Sequence, residues 1–287
     1  MDAVTENLAI EVRGLRKAYG TTVAVDGLDL AVRRGEVFAL LGPNGAGKTT
    51  TVEILEGFRR ADGGEIRVLD TDPRAVTPAW RARVGIVLQS TGEFEELTVA
   101  EVVHHFATYY PDADDPDKVI ERVGLTEKRD ARAEKLSGGQ KRRLDVALGI
   151  IGRPELLFLD EPTTGFDPEA RRQFWELIRD LAAAGTTILL TTHYLDEAEA
   201  LADRVGVIAG GRMVAVAAPA DLGDRRNAMA TVRWQGPDGP RSERTHTPTA
   251  VVAALAERFG GEVPGLTVSR PTLEDIYLSM ISKEEAE

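Results

Sequence analysis

Gly42-Pro43-Asn44-Gly45-Ala46-Gly47-Lys48-Thr49 constrains this chain more than any other eight residues in it. The run has the form G-x-x-x-x-G-K-[ST], follows the apolar stretch Val37-Phe38-Ala39-Leu40-Leu41, and opens a segment suited to a helix. Glycines let successive backbone N–H groups curl inward without side-chain interference, and a helix start adds partial positive charge. Lys48 can then reach terminal phosphates, and the Thr49 hydroxyl can ligate Mg²⁺. Gly42 to Thr50 are therefore the candidate nucleotide contacts. A glycine-rich structural turn is the competing reading, and the strand–loop–helix setting speaks against it. A chain with this loop is committed to a buried strand feeding a helix N-terminus.

The surrounding pattern agrees. Ile10–Val12, Val23–Val25 and Leu28–Val32 read as short antiparallel strands separated at Gly14, Gly20, Gly27 and Gly35, ahead of a buried strand at 36–41. Further buried strands are predicted at 84–88, 156–159, 187–191 and 205–208, as in a sheet covered on both faces. Thr98 and Glu101 form a capping box ahead of the stripe Val99, Val102, Val103 and Phe106. Asp167-Pro168 starts another helix, whose buried face is Phe174, Leu177, Ile178 and Leu181. Residues from about 92 to 152 read as a helical subdomain inserted between two strands. After Gly210-Gly211 the character changes. A hairpin around residues 236–239, a helix at about 249–259, a strand near Val268 and a last helix from Pro271 make a small appendage. The expected boundaries are 1–215 and 216–287.

Two more elements carry chemistry. Leu156-Leu157-Phe158-Leu159 ends in Asp160-Glu161. An acid at a strand's C-terminal edge beside a phosphate loop can hold Mg²⁺, which is the role expected of Asp160. Glu161, one residue on, points elsewhere and can orient or deprotonate an attacking water. Leu136-Ser137-Gly138-Gly139-Gln140 is a second helix start. Ser137 and Gln140 can form a capping box, and the two glycines leave N–H groups bare for a phosphate. The helix behind it has a core stripe of Leu144, Ala147, Leu148 and Ile151.

With these motifs in this order, the sequence resembles the ATP-binding cassette (ABC) ATPases over nearly its whole length. The resemblance implies a P-loop α/β cassette with a mixed sheet core, an antiparallel β subdomain and an inserted helical subdomain, plus the small C-terminal α+β appendage. It implies an ATPase using ATP and Mg²⁺. By position, Tyr19 stands where the family stacks an aromatic on adenine, and Gln89 where its glutamine meets Mg²⁺ and water. Thr163–Asp167 stands where the family has a dimer-crossing loop, placing Asp167 near nucleotide, and His193 where its histidine touches the γ-phosphate. Ser137, Gly138, Gly139 and Gln140 are implied to bind the nucleotide held by a second subunit. One phosphate loop and one signature per chain then imply a homodimer. Phe166 stands where the family more often has Leu, a tolerable apolar swap.

The tail refines the resemblance. Residues 271–278, Pro-Thr-Leu-Glu-Asp-Ile-Tyr-Leu, are similar to a motif of ABC exporters linked to daunorubicin-type resistance, and residues 193–199 look like the same group. The same tail also reads as a capped helix with a core stripe of Leu273, Ile276, Tyr277 and Met280. The implied role is the motor of an exporter at the cytoplasmic face of a membrane, working through a separate permease. Composition enters here. A net charge of -12 argues against a nucleic-acid partner, and the absence of cysteine excludes thiolate metal sites. No run reaches membrane-span length, and residues 1–10 lack the apolar core of a signal peptide. The alternatives weighed are a soluble cassette acting on nucleic acid or ribosomes, and a regulatory module without turnover. His104-His105 reads as a surface pair and Asp112–Asp117 as a solvated acidic loop, while Lys141-Arg142-Arg143, short and directly after the signature, is no nucleic-acid patch.

Overall fold

The computed structural model describes residues 7–87, 94 and 96–284. The chain divides into two compact units, Met1–Val216 and Ala217–Glu287. In the first, β1 (Leu8–Tyr19) and β2 (Thr22–Arg33) pair antiparallel, β3 (Val37–Leu41) runs into α1 (Lys48–Leu55), and β4 (Gly63–Val68) returns to β1. Next come α2 (Pro78–Arg81), β5 (Val84–Val87), α3 (Val99–Ala107), α4 (Pro116–Arg122) and α5 (Gly138–Ile150). Then follow β6 (Leu156–Asp160), α6 (Pro168–Ala183), β7 (Thr187–Thr192), α7 (Leu195–Leu201), β8 (Arg204–Ala209) and β9 (Arg212–Ala217).

Six strands form the central sheet in the order β5-β6-β7-β3-β8-β9, parallel from β5 through β8. Every residue of β3 is buried, as its unbroken apolar run requires. Phe38, Leu40, Phe158 and Leu189 of this sheet share one core with Ile10, Leu15 and Leu28 of the antiparallel sheet. Strand order places the C-terminal ends of β3, β6 and β7 side by side, which is where loops of a parallel sheet converge on ligands.

Two expectations about the first strands change. Gly20 and Gly35 lie between strands as expected, but Gly14 and Gly27, with φ of 61° and 73°, sit inside twelve-residue strands where the β1–β2 register shifts. A bulge takes up the extra residue and bends the strand while pairing continues. β4 was not foreseen, because Gly63-Gly64-Glu65-Ile66-Arg67-Val68 has little apolar content of its own and becomes a strand by pairing with β1. The capping box joins Thr98 and Glu101, and Val99, Val102 and Val103 are buried. Leu144, Ala147, Leu148 and Ile151 are buried behind the second capping box, as are Phe174, Leu177, Ile178 and Leu181 on α6.

In the second unit, β10 (Ala230–Gly236) and β11 (Gly239–Thr245) form the hairpin; α8 (Pro248–Phe259), β12 (Thr267–Ser269) and α9 (Leu273–Glu284) complete it. The antiparallel order is β11-β10-β12. Val232, Leu255 and Val263 centre a small core. Thr272 and Asp275 cap α9 reciprocally, Leu273 is buried, and Ile276, Tyr277 and Met280 are half-buried. Among the described residues, no helix is long and apolar enough to cross a membrane.

Candidate nucleotide site

The loop between β3 and α1 is held open by backbone geometry that only glycine tolerates. Gly47 has φ of 101°, and a Cβ there would lie 2.4 Å from the Ala24 carbonyl oxygen. At Gly42 a Cβ would come within 2.5 Å of the Ile208 carbonyl oxygen. Pro43 is half-buried, Asn44 and Gly45 are exposed, Ala46 is buried, and Thr49 is exposed beside a half-buried Thr50. Lys48 curls back over the loop. Its Nζ donates to the Gly42 and Pro43 carbonyls at 2.7 and 3.1 Å, with only 7% of the residue exposed. Burial pulls its pKa below the usual lysine value, and the charges of Glu161 and Asp160 oppose that shift. The ammonium therefore lies in the field of the acid pair, although more than a hundred residues separate them in sequence.

The acids diverge as their adjacent positions require. Asp160 ends β6 and accepts a short hydrogen bond from the Thr191 hydroxyl. Glu161 leaves the sheet with φ of 43°, a conformation that a non-glycine residue adopts at a cost of about 1–3 kcal/mol. Its N–H is held by the Thr191 carbonyl at 3.1 Å, its Oε2 accepts from the Thr164 hydroxyl at 3.3 Å, and its Oε1 lies 3.2 Å from His193 Nδ1. The tilted ring of Tyr194 lies against His193, with centroids 4.1 Å apart.

Lys48, Asp160, Glu161 and His193 thus come together at the C-terminal edge of the sheet. Tyr19 ends β1 with 41% of its surface exposed, flanked by the cations of Lys17 and Arg59 at 5.5 and 5.3 Å from its ring centre. Gln89 lies outside the described residues. Asp167 spends its carboxylate on capping α6, accepting from Glu169 and Ala170 N–H at 3.0 and 2.8 Å. Ser137–Gln140 form the expected capping box, with Ser137 and Gly138 exposed. Among the described residues, no hydrogen bond or ion pair joins that box to the phosphate loop. Its neighbour is α6, where Ala170 packs 3.5 Å from the position of a Gly139 Cβ.

One cation of the Lys141-Arg142-Arg143 run is a buried tie. Arg142, 6% exposed, donates from α5 to the backbone carbonyls of Asp160 at 2.7 Å and Pro162 at 3.1 Å. The helix that begins at Ser137 is thereby fastened to the loop carrying Glu161. Its position two residues after Gln140 was the available signal, hidden by flanking Lys141 and Arg143. The two other features set aside are local. His104 Nδ1 lies 2.9 Å from the Ala100 carbonyl; Asp115 caps α4, Asp114 pairs with Arg153 and Arg122, and Asp117 pairs with Arg129.

A groove opens beside α1, with a volume of about 600 Å³. Its walls include Phe58, Trp80, Ile86, Phe106, Tyr110 and Leu148, with the carboxyls of Glu53, Glu56 and Asp145 among them. Phe58 is 83% exposed.

Comparison with known proteins extends these observations. The pattern defining the ABC transporter family matches residues 25–164. The chain is 46% identical to the daunorubicin/doxorubicin resistance ATP-binding protein DrrA of Streptomyces peucetius, across 95% of this chain and 92% of that one. It is 40% identical to the Nod factor export ATP-binding protein I of Ralstonia nicotianae, across 96% and 94%. Among solved structures it is similar to CbiO1 of Clostridium perfringens, part of the ABC transporter complex CbiONQ. That likeness has a TM-score of 0.69 at 28% identity and covers 77% of this chain and 92% of that one.

Proposed function

We propose that this chain, which belongs to the ABC transporter family of ATP-binding ATPases, is the motor subunit of an exporter driven through a separate membrane permease. The observation that carries the proposal is the extent of the likeness to ATP-binding proteins named for drug resistance and for Nod factor export. It runs through more than nine-tenths of both chains, so it takes in the C-terminal unit as well as the cassette. A drug or antibiotic-like substrate is the class that the drug-resistance name supports. The net charge of -12 disfavours the alternative of a cassette acting on nucleic acid or ribosomes.

The chemistry we assign follows from the site. Lys48 exchanges the two loop carbonyls for phosphate oxygens, aided by the backbone N–H groups of Gly45, Gly47 and Lys48 and by the start of α1. Tyr19 offers its open face to adenine. Glu161 orients a water for in-line attack on the terminal phosphorus and takes its proton, while His193, 3.2 Å away, holds Glu161 and meets the γ-phosphate. The exposed Thr49 hydroxyl and the Asp160 carboxylate are oxygen donors of the kind Mg²⁺ prefers, and Gln89 is the third expected contact. No three acidic or imidazole groups converge among the described residues, so such an ion would rely on phosphate oxygens and water for the rest of its shell. When bound, it would neutralise charge developing on the transferred phosphoryl group.

The exposed Ser137–Gln140 box stands apart from the loop it would complete. In our reading a second copy supplies it, in a head-to-tail dimer closed around two ATP, with Asp167 near the seam. The groove beside α1 is where we place the permease. Its apolar walls and three carboxyls suit an amphipathic segment carrying a basic residue. The membrane anchorage of this subunit would then come from its partner.

Purification of the tagged full chain from solubilised native membranes with ATP tests the motor reading. A polytopic membrane protein recovered in stoichiometric amount supports it; recovery with ribosomes or nucleic acid, or alone in the soluble fraction, refutes it. Glu161→Gln is expected to abolish turnover and trap an ATP-dependent dimer. Normal hydrolysis by that variant would remove Glu161 from its assigned role.

A further inference from the structure

Behind the Glu161–His193 pair lies a carboxyl with no access to water. Glu197, on the first turn of α7, is 0% exposed. Its Oε1 accepts from Trp175 Nε1 of α6 at 3.4 Å. Burial raises its pKa, and the Thr192 hydroxyl, the Thr163 hydroxyl and the charge of Arg171 each favour its ionised form. These neighbours belong to both segments that carry the reacting groups. Thr192 immediately precedes His193, and its Oγ1 accepts from Tyr194 N–H at 3.0 Å. Thr163 lies two residues after Glu161 at the start of the loop running to Asp167. Arg171 of α6 stacks on the Tyr194 ring, 4.5 Å from its centre.

The network is not closed. Among the described residues, five buried side-chain polar atoms have no hydrogen-bond partner, and three of them are Thr163 Oγ1, Arg171 Nε and Glu197 Oε2. A buried carboxyl that merely fastens α7 to α6 should have its bonds satisfied, because each unmet group costs about 1–3 kcal/mol. Thr163, at the base of the 163–167 loop, and Arg171 of α6 both act on the Glu197 carboxyl. The Thr163 hydroxyl favours the ionised carboxyl at short range, yet neither its Oγ1 nor Glu197 Oε2 has a hydrogen-bond partner that fully satisfies it. A small reseating of that loop would let the Thr163 hydroxyl donate to Glu197 Oε2, and would draw the loop bearing Glu161 toward the turn bearing His193.

We infer that Glu197 is a positioning residue for ATP hydrolysis, a buried acceptor that locks the 163–167 loop to the His193 turn when that loop seats. The inference rests on the roles assigned above to Glu161 and His193. It places the control of their spacing in a residue that touches neither nucleotide nor water.

The test uses the purified full chain, with steady-state ATPase kinetics and thermal unfolding for Glu197→Gln, Thr163→Val, Thr163→Ser and the E197Q/T163V double variant. Glutamine keeps the volume and one acceptor oxygen; valine keeps the shape of threonine without its hydroxyl. E197Q and T163V are each expected to lower kcat about tenfold with KM for ATP within about twofold of wild type, the signature of an interaction made in the transition state. T163S, which keeps the hydroxyl, should recover most of that loss. The double variant should lose no more than the worse single one, since both act through one contact. Wild-type kcat in E197Q and T163V, a KM rising in step with the loss, or multiplied losses in the double variant would each overturn the inference. Should E197Q fail to fold, the T163V and T163S comparison still decides it. An E161Q control separates this inference from its premise. Turnover in E161Q defeats the assigned role of Glu161, whereas a dead E161Q beside fully active E197Q and T163V defeats the present inference alone.

Discussion

Glu56→Gln should remove a pH dependence of stability that the fold builds into the groove beside α1. Glu56 caps the C-terminal end of α1 and faces Trp80, Ile86 and Leu148 across that groove. Burial, and then the negative charges of Asp160 and Glu53, raise its pKa from an ordinary 4.5 to about 8. The sign follows from proton counting. Between those two values the folded chain keeps a proton that the unfolded chain releases, so the contribution is complete below pH 4.5 and is lost as pH rises to about 8. At about 1.4 kcal/mol per tenfold change in proton affinity, the full span is worth at most about 5 kcal/mol. Water entering the open side of the groove reduces this to about 3 kcal/mol between pH 5 and pH 8. Glutamine cannot ionise, so E56Q should match wild type near pH 5 and exceed it by roughly that amount at pH 8. In thermal scans of the nucleotide-free protein this is about 6–10 °C for a unit of this size. The measurement is a set of unfolding curves at pH 5, 6, 7 and 8 for both proteins. Parallel pH profiles would show that Glu56 is solvated and ionised in the fold, refuting the reasoning.

Two further perturbations probe the loop and the groove. Gly47→Ala places a Cβ 2.4 Å from the Ala24 carbonyl oxygen at a left-handed φ, and strain of about 1–3 kcal/mol should weaken nucleotide binding roughly tenfold to a hundredfold. Titration with a fluorescent ATP analogue reads it directly, and wild-type affinity would mean that the loop relaxes freely. Phe58→Ala removes the most exposed aromatic wall of the groove, and should lower the yield of membrane protein recovered with the tagged chain by about tenfold, the loss expected of an interface anchor worth more than about 1 kcal/mol. Undiminished recovery would move the permease elsewhere.

Much of the site was legible before any coordinates, because its parts are local. A phosphate loop needs glycines at fixed positions, a capping box needs Ser or Thr three residues before Glu or Gln, and a buried parallel strand needs an unbroken apolar run. Gly42–Thr49, Ser137–Gln140, Thr98–Glu101 and Leu156–Asp160 each satisfy such a rule within ten residues, so sequence determined them. The same locality misled at Gly14 and Gly27. A glycine looks like a break until a partner strand offers a bulge to hold it.

What sequence could not determine were relations between distant segments, which depend on which strands become neighbours. The order β6-β7-β3 brings Asp160, His193 and Lys48 to one edge; nothing in their spacing along the chain requires it. Nothing in the run Lys141-Arg142-Arg143 tells Arg142 from its neighbours; only packing turns it onto the carbonyls of Asp160 and Pro162. Nothing in the acidic stretch 196–199 tells Glu197 from Asp196 or Glu199. The burial of Glu197 beneath the His193 turn, and the depth at which Glu56 keeps its proton, come from desolvation by residues far away in sequence. Local rules set the backbone of the loops, and only tertiary packing set the electrostatic surroundings in which their side chains act.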